Sequence, residues 1–298
     1  MNKIRDEISY EQLCAGVESE ARLLAGILRD VGPEEPVGTC PGWTSSHLMA
    51  HLFQAFTWAA GLVETRAKEF LPPHLFVVEG DEERWATHGG TWPEYVNDLI
   101  KVSFDEVAEF DGGEARARWV LAAADSLVVA LRDAGPDGDV WNSVGADGTR
   151  FWASWGALET MVHRADTELL LGRAPDALRL RSDLSVESVR LWLQMITAPG
   201  AEAFFGPRLA AMAGEGESLR FRATDVADVA EAEWLLLRTP EGLALAAEDD
   251  DRRAGTTVSG RAGDLLMLLK RRVPMKQAAV DITGDARLLE HWLANVMA

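Results

Sequence analysis

The chain has 298 residues, of which 47% are hydrophobic and 26% are charged, a composition typical of globular proteins rather than of disordered or fibrous ones. Its formal charge of −19 repels phosphate backbones and anionic lipid, which excludes nucleic acid and membrane surfaces as expected partners. Because Cys14 and Cys40 are the only cysteines, neither a disulfide framework nor a thiolate zinc cluster is expected, and a metal site has to use His, Asp or Glu.

The first two thirds of the sequence predict helices. Ser9 and Gln12 form a capping box, which predicts the start of the first helix. Thr44 is the predicted N-cap of a second helix, and Thr91 with Glu94 forms another capping box further along the chain. Further helices are predicted over residues 114–134, 152–171 and 184–196.

The pattern changes after residue 214, where strands are predicted. Leu219 and Phe221 alternate with charged residues, and a hairpin is predicted around Pro240. The fold class is therefore α+β, and two domains are predicted. An antiparallel helical bundle is expected over residues 1–200 and a smaller α+β domain over residues 215–298.

Three side chains on two predicted helices are candidates for a metal site. Glu159 and His163 are four residues apart and share a helix face, to which Asp166 returns. His51 lies on the apolar face of the second helix, whereas His47, near its start, is predicted to be exposed. If the two helices face each other, His51, Glu159 and His163 form a set of two histidines and one carboxylate, with coordination positions left open. The alternative is a surface pair beside a core histidine that has its own hydrogen-bond partner.

Tryptophans occupy the same helical stripe as these candidate ligands. Trp152 and Trp155 lie seven and four residues before Glu159, and Trp58 lies seven residues after His51. Together they predict an aromatic wall beside the site. The alternative is that each of them fills the core of the bundle.

Three segments resemble a known family: TCPGWTSSHLMAHL at 39–52, FWASWGALETMVHRADTELLLG at 151–172, and TTVSGRAGDLLMLLKRRV with ITGDARLLEHWL near the end. They are similar to the mycothiol-dependent maleylpyruvate isomerases of actinobacteria, within the DinB-like metalloenzymes. The resemblance covers nearly the whole chain. It implies a DinB-like four-helix bundle followed by a smaller α/β domain related to sterol-carrier proteins. It also implies a divalent metal, usually zinc, at His51, Glu159 and His163, and mycothiol as the thiol cosubstrate.

The sequence also departs from the family pattern. Members often carry an Arg pair after the FW dipeptide and a His just before the Glu, where this chain has Ser154, Trp155 and Leu158. The missing cations predict an uncharged or aromatic electrophile rather than a dicarboxylate, with Trp155 as a contact for the cofactor.

Three more residues receive roles from the resemblance. The family's anion-binding Arg in the second domain corresponds to Arg271 or Arg272. Arg272 is expected to be catalytic and Arg271 to bind the cofactor. Asp166 is expected either to orient a ligand histidine or to contact the cofactor. The alternative is a helix-face carboxylate with a hydrogen-bond partner nearby.

Three functions remain open at this point. The first is a mycothiol-dependent isomerase or S-transferase, in which a metal-bound thiolate attacks a small electrophile. The second is a metal-dependent hydrolase, and the third is a non-catalytic protein that binds a small ligand. The expected partners are a small electrophile and a low-molecular-weight thiol, in a cytoplasmic monomer or homodimer. The absence of an apolar leader or of an apolar run long enough to span a membrane supports that location.

Overall fold

The computed structural model describes residues 8–77, 83, 85, 87–109, 112–226, 232–247, 250 and 252–296. The chain divides into two compact units, the first over Ser9–Ala174 and the second beginning at Pro175. A helical region followed by a smaller α+β domain is therefore confirmed. The division falls at residue 174 rather than between 200 and 215 as expected, because the helix Ser182–Thr197 packs on elements of the second unit.

The first unit is a helical bundle. Its described helices are α1 (Tyr10–Leu28), α2 (Ser45–Glu64), the short α3 (His74–Val77), α4 (Trp92–Glu109), α5 (Gly113–Ala134) and α6 (Gly148–Leu170). Helix α1 packs on α5 and α6, whereas α2 packs on α4, α5 and α6. None of the described helices of either unit is long and apolar enough to cross a bilayer.

Local hydrogen bonds explain where the helices begin. The backbone amide of Gln12 donates to the Ser9 hydroxyl at 3.2 Å, and the Ser9 amide donates to the Gln12 side chain at 2.8 Å, which confirms the first capping box. At the start of α2, the Thr44 amide donates to Nδ1 of His47 at 3.1 Å. His47 is half-buried rather than exposed, because its ring caps the helix.

Helix α6 is buried on nearly all sides. Every residue from 151 to 168 is buried except Glu159, whose side chain keeps 15% of its surface exposed. Arg164 extends from α6 to α1, where its Nε lies 2.6 Å from an oxygen of Glu20, and it also pairs with Glu168. These three charged side chains are at most 5% exposed. Within residues 151–168, Glu159 is therefore the position at which α6 reaches solvent.

The second unit combines one mixed sheet with helices. Its described elements are α7 (Ser182–Thr197), α8 (Glu202–Phe205), β1 (Ser218–Ala223), β2 (Glu233–Thr239), β3 (Gly242–Leu245), β4 (Thr256–Gly260), α9 (Ala262–Leu269), β5 (Val280–Gly284) and α10 (Ala286–Asn295), with 3₁₀ segments at Pro175–Ala177 and Pro207–Met212. The strand order is β3-β2-β1-β4-β5, and β1 and β4 pair in parallel while the other pairs are antiparallel. Leu219, Phe221 and Val258 are buried on one face, where α9 and α10 pack.

Candidate metal centre

Two helices of the bundle bring the three predicted ligands together. His51 lies on α2, and Glu159 and His163 lie on α6. One carboxylate oxygen of Glu159 is 3.3 Å from Nε2 of His51 and 3.4 Å from Nε2 of His163. Because α2 and α6 face each other at this point, both imidazoles point at the same carboxylate.

The three side chains differ in their exposure. The side chains of His51 and Glu159 are 19% and 15% exposed, whereas that of His163 is 6% exposed. The cluster is therefore anchored in the bundle through His163 and reaches solvent through the other two. A small molecule can approach it from the side of His51 and Glu159.

Asp166 holds His163 from behind. Its Oδ2 accepts a hydrogen bond from Nδ1 of His163 at 2.8 Å, and its Oδ1 accepts one from the Thr39 hydroxyl at 2.5 Å. The thiol of Cys40 also donates to Oδ2, at 3.6 Å. A carboxylate on one imidazole nitrogen fixes the tautomer and leaves the other nitrogen available to a metal ion. Since Asp166 is completely buried, this geometry favours the orienting role over direct contact with a cofactor.

The electrostatics of the cluster favour a positive charge at its centre. Burial raises the pKa of Glu159, but hydrogen bonds and positive charge from His163 and His51 outweigh burial and hold that pKa well below its usual range. Burial lowers the pKa of His163, yet hydrogen bonds and negative charge from Asp166 and Glu159 outweigh it and raise that pKa. A proton can supply the charge that the two carboxylates favour, and so can a divalent cation.

The donors fit a divalent metal of the zinc type. The ligand atoms of His51, Glu159 and His163 all lie within 4.8 Å of one another, and two imidazoles with one carboxylate are donors that zinc accepts with a position left open. Cys40, His163 and Asp166 form a second group within the same distance. In that group both Asp166 oxygens already accept hydrogen bonds and the carboxylate is fully buried. The first group is therefore the better candidate.

Sequence reasoning missed Thr39 and Cys40. Both precede α2 in the TCPGWT stretch, which was noted only as a family-like motif. Trp43 in the same stretch packs on His51, with ring centroids 5.1 Å apart. The loop before α2 therefore contacts both histidines of the cluster, one through Asp166 and the other through an indole ring.

The predicted aromatic wall, Trp58, Trp152 and Trp155, is one contiguous cluster. Ring centroids lie 5.2 Å apart for Trp58 and Trp152, 6.2 Å for Trp58 and Trp155, and 5.5 Å for Trp152 and Trp155. The indole N–H groups of Trp58 and Trp152 donate to backbone carbonyls, at 2.8 Å each. Trp152 is 2% exposed, whereas Trp58 and Trp155 keep 8% and 9% of their surface. The wall therefore belongs to the bundle core and presents only narrow edges of two rings.

The two predicted arginines lie in the second unit, directly after α9. Arg271 has a left-handed backbone conformation with φ of 58°, and Nη1 of Arg272 donates to the carbonyl of Lys270 at 2.8 Å. Their roles in catalysis and cofactor binding stay predictions.

Fold and site together define a class: a helical bundle with a two-histidine, one-carboxylate centre, followed by an α+β domain. Residues 15–168 match the family model described as the mycothiol maleylpyruvate isomerase N-terminal domain, and the chain belongs to this family.

Solved structures agree with the fold. The crystal structure of the mycothiol-dependent maleylpyruvate isomerase covers 94% of this chain and 96% of its own, with 16% identity and a TM-score of 0.53. A His-to-Ala mutant of the mycothiol-dependent maleylpyruvate isomerase gives the same coverage with 15% identity and a TM-score of 0.54. The ubiquinone synthesis protein UbiJ-SCP2 aligns with 39% of this chain at a TM-score of 0.26, so the sterol-carrier-like character of the second unit stays a prediction. A comparison with proteins of curated function gave no significant match.

Proposed function

We propose that this protein is a mycothiol-dependent metalloenzyme, an isomerase or S-transferase, that acts on a small electrophile. In this proposal His51, Glu159 and His163 hold one divalent metal ion, with Zn²⁺ as the first candidate. The observation that carries it is the convergence of both Nε2 atoms on one oxygen of Glu159, at 3.3 and 3.4 Å. Membership of the mycothiol maleylpyruvate isomerase family supports the choice of thiol.

Each part of the site has a task in this chemistry. The metal, when bound, lowers the pKa of a coordinating thiol so that a thiolate is available at neutral pH. Asp166 keeps Nε2 of His163 directed at the centre, and the partly exposed His51 and Glu159 border the side from which the thiol and the electrophile enter. A thiolate that adds to an activated double bond allows rotation before it is expelled, which gives isomerisation. Displacement of a leaving group gives a thioether instead, which is S-transfer.

The residues just before Glu159 on α6 favour an uncharged or aromatic electrophile. Ser154 and Trp155 occupy the places where the family resemblance leads one to expect an Arg pair, and Leu158 occupies that of a His. Ser154 and Leu158 are buried, so none of the three side chains offers a cation to a substrate carboxylate. The exposed ring edges of Trp58 and Trp155 offer apolar contact to an uncharged or aromatic substrate instead.

A cytoplasmic setting is part of the proposal. Cys14 and Cys40 are both free thiols, as expected for a protein in a reducing compartment. A chemistry that depends on a low-molecular-weight thiol requires the same conditions.

Metal content and thiol dependence of the purified protein test the proposal. We expect about one divalent metal per chain, and loss of that metal in His51→Ala, Glu159→Ala and His163→Ala while circular dichroism stays helical. His88→Ala is the matched control, because Nε2 of His88 lies 3.2 Å from Asp98 and its side chain is 18% exposed, close to the values for His51. Full metal content in Glu159→Ala would remove Glu159 from the ligand set.

Turnover assays distinguish the remaining alternatives. Consumption of electrophiles that requires mycothiol supports the proposal. Metal-dependent turnover without any thiol identifies a hydrolase instead, because the ion then activates water. A wild-type protein without stoichiometric metal and without turnover identifies a non-catalytic binding protein.

A further inference from the structure

The face of the sheet opposite α9 and α10 carries a basic pocket in the second unit. Successive side chains of a strand point to opposite faces, so Leu219 and Phe221 face the helices while Arg220 and Arg222 face the other way. A pocket of about 640 Å³ lies over this second face, within the range of small-molecule sites. Its lining residues are Arg220, Arg222, Glu233, Arg252, Arg253, Ala254, Gly255, Thr257, Thr283 and Gly284.

Strand register places hydrogen-bond donors side by side on the floor of this pocket. Arg220 on β1 is the register partner of Thr257 on β4, and Thr257 is the partner of Thr283 on β5. Adjacent strands lie about 4.8 Å apart, so a guanidinium and two hydroxyl groups form one row across the sheet. Such a row matches an oxyanion, which accepts several hydrogen bonds at once.

The charges in the pocket leave a positive excess. Glu233 lies 2.5 Å from Nη1 of Arg220 and 3.7 Å from Nε of Arg222. Asp250 is the described part of an acidic run just before Arg252, and it pairs with Arg252 at 2.8 Å. Among the described residues, four guanidinium groups meet two carboxylates, Glu233 and Asp250, in a chain whose formal charge is −19.

Some donor groups of this pocket lack a partner among the described residues. Nε of Arg220 is buried and has no hydrogen bond within the described residues, although a buried donor normally has one. Arg253 is exposed and forms no ion pair there either. Arg222 is 48% exposed and contacts Glu233 only at the long distance of 3.7 Å. Some N–H donors of Arg220, Arg222 and Arg253 are therefore not used by the ion pairs described for this pocket.

We propose that this pocket binds a small, multiply charged oxyanion, either a phosphoryl group or a polycarboxylate, as a second ligand site separate from the candidate metal centre. Arg222 and Arg253 supply charge from the rim, and Arg220, Thr257 and Thr283 supply hydrogen bonds from the floor. The formal charge of −19 disfavours long polyanions such as nucleic acid, which selects for small ligands.

Isothermal titration of the full chain with pyrophosphate, and separately with citrate, tests the site at constant ionic strength. Binding of pyrophosphate alone identifies a phosphoryl site, binding of citrate alone a carboxylate site, and binding of both a general oxyanion site. We expect Arg222→Ala and Arg253→Ala each to weaken binding by about tenfold or more, because each removes one charge-assisted contact. Arg287→Ala is the matched control, since its side chain is 86% exposed on α10, outside the pocket.

Both probes also chelate metal ions, so the titration is repeated on His51→Ala. Unchanged binding in that variant separates this pocket from the metal centre. Three results would overturn the proposal: no binding of either anion up to about 1 mM, equal losses in Arg287→Ala and Arg222→Ala, or loss of binding in His51→Ala.

Discussion

Replacing Asp166 with asparagine tests how the candidate metal centre is held. The carboxylate accepts hydrogen bonds from His163, Thr39 and Cys40, and none of its surface is exposed. An asparagine of nearly the same shape keeps one acceptor oxygen, which can still face Nδ1 of His163 while its amide group donates to Thr39. The geometry is then retained, and the main change is the loss of one negative charge behind the ligand histidine.

The expected effect is on metal affinity rather than on folding. Loss of an outer carboxylate on a ligand histidine typically weakens metal binding about 10- to 100-fold, which corresponds to about 1.4–2.8 kcal/mol. Because Asp166 accepts a hydrogen bond from the imidazole of His163 at 2.8 Å, we expect the effect on metal affinity to act through that histidine. We therefore expect Asp166→Asn to stay folded and to have a metal affinity about 10- to 100-fold lower than that of the wild type.

Competition with a chelator of known affinity measures this change, with circular dichroism recorded on the same samples. Thr39→Val is the control, because it removes one donor to Asp166 but leaves the charge in place, so its loss of affinity should be smaller. Wild-type metal affinity in Asp166→Asn, or a larger loss in Thr39→Val, would refute the orienting role of Asp166.

The aromatic wall and the buried ion pairs of α6 give three further tests. Trp155→Arg should raise the kcat/KM ratio of maleylpyruvate over a neutral aromatic electrophile, by at most one charge-assisted hydrogen bond of about 1.5–3 kcal/mol; an unchanged ratio would mean that Trp155 only fills the core. Trp152→Ala should lower the free energy of unfolding in urea by about 3–5 kcal/mol, because the ring is 2% exposed, and a much smaller loss would contradict its burial. Arg164→Met should lower the free energy of unfolding by about 3–5 kcal/mol in the same assay, because Glu20 loses this ion pair and Glu168 keeps only its ion pair with Arg173 among the described residues. Wild-type stability would show that the ion pairs of Arg164 contribute no net energy.

The sequence predicts well which residues of one helix lie on the same face of the candidate site. A separation of four residues places Glu159 and His163 on one face of any α-helix, and the structure adds a distance of 3.4 Å between their atoms. The capping box at Ser9 and the hydrogen bond from the Thr91 amide to the Glu94 side chain work in the same way, because donor and acceptor are three residues apart. Local spacing is sufficient for these features.

Contacts between distant segments could not be predicted in this way. Thr39 and Asp166 are separated by 127 residues, and no spacing rule relates a loop residue to a helix that far away. The placement of His51 opposite Glu159 was conditional on two helices facing each other, which the sequence alone does not establish.

The helix α7 shows the same limit at the scale of a domain. Its apolar pattern predicts a helix correctly, and Leu184 and Val189 are buried as that pattern requires. An apolar helix face predicts that another element packs on it, but it does not predict which element that is. The boundary was therefore expected near residue 200, whereas α7 packs on α9 and β3 of the second unit.

The loop before α2 contacts both histidines, so we expect its stability to be coupled to theirs. Val37 and Trp43 close this loop with a backbone hydrogen bond of 2.9 Å, and its side chains contact His51 directly and His163 through Asp166. Such coupling is reciprocal. If a loop conformation raises the affinity of the histidines for an ion, then binding of that ion stabilises the same loop conformation by the same free energy. If the proposed centre binds a metal ion, we expect substitutions in this loop to change its affinity while all three proposed ligands stay unchanged.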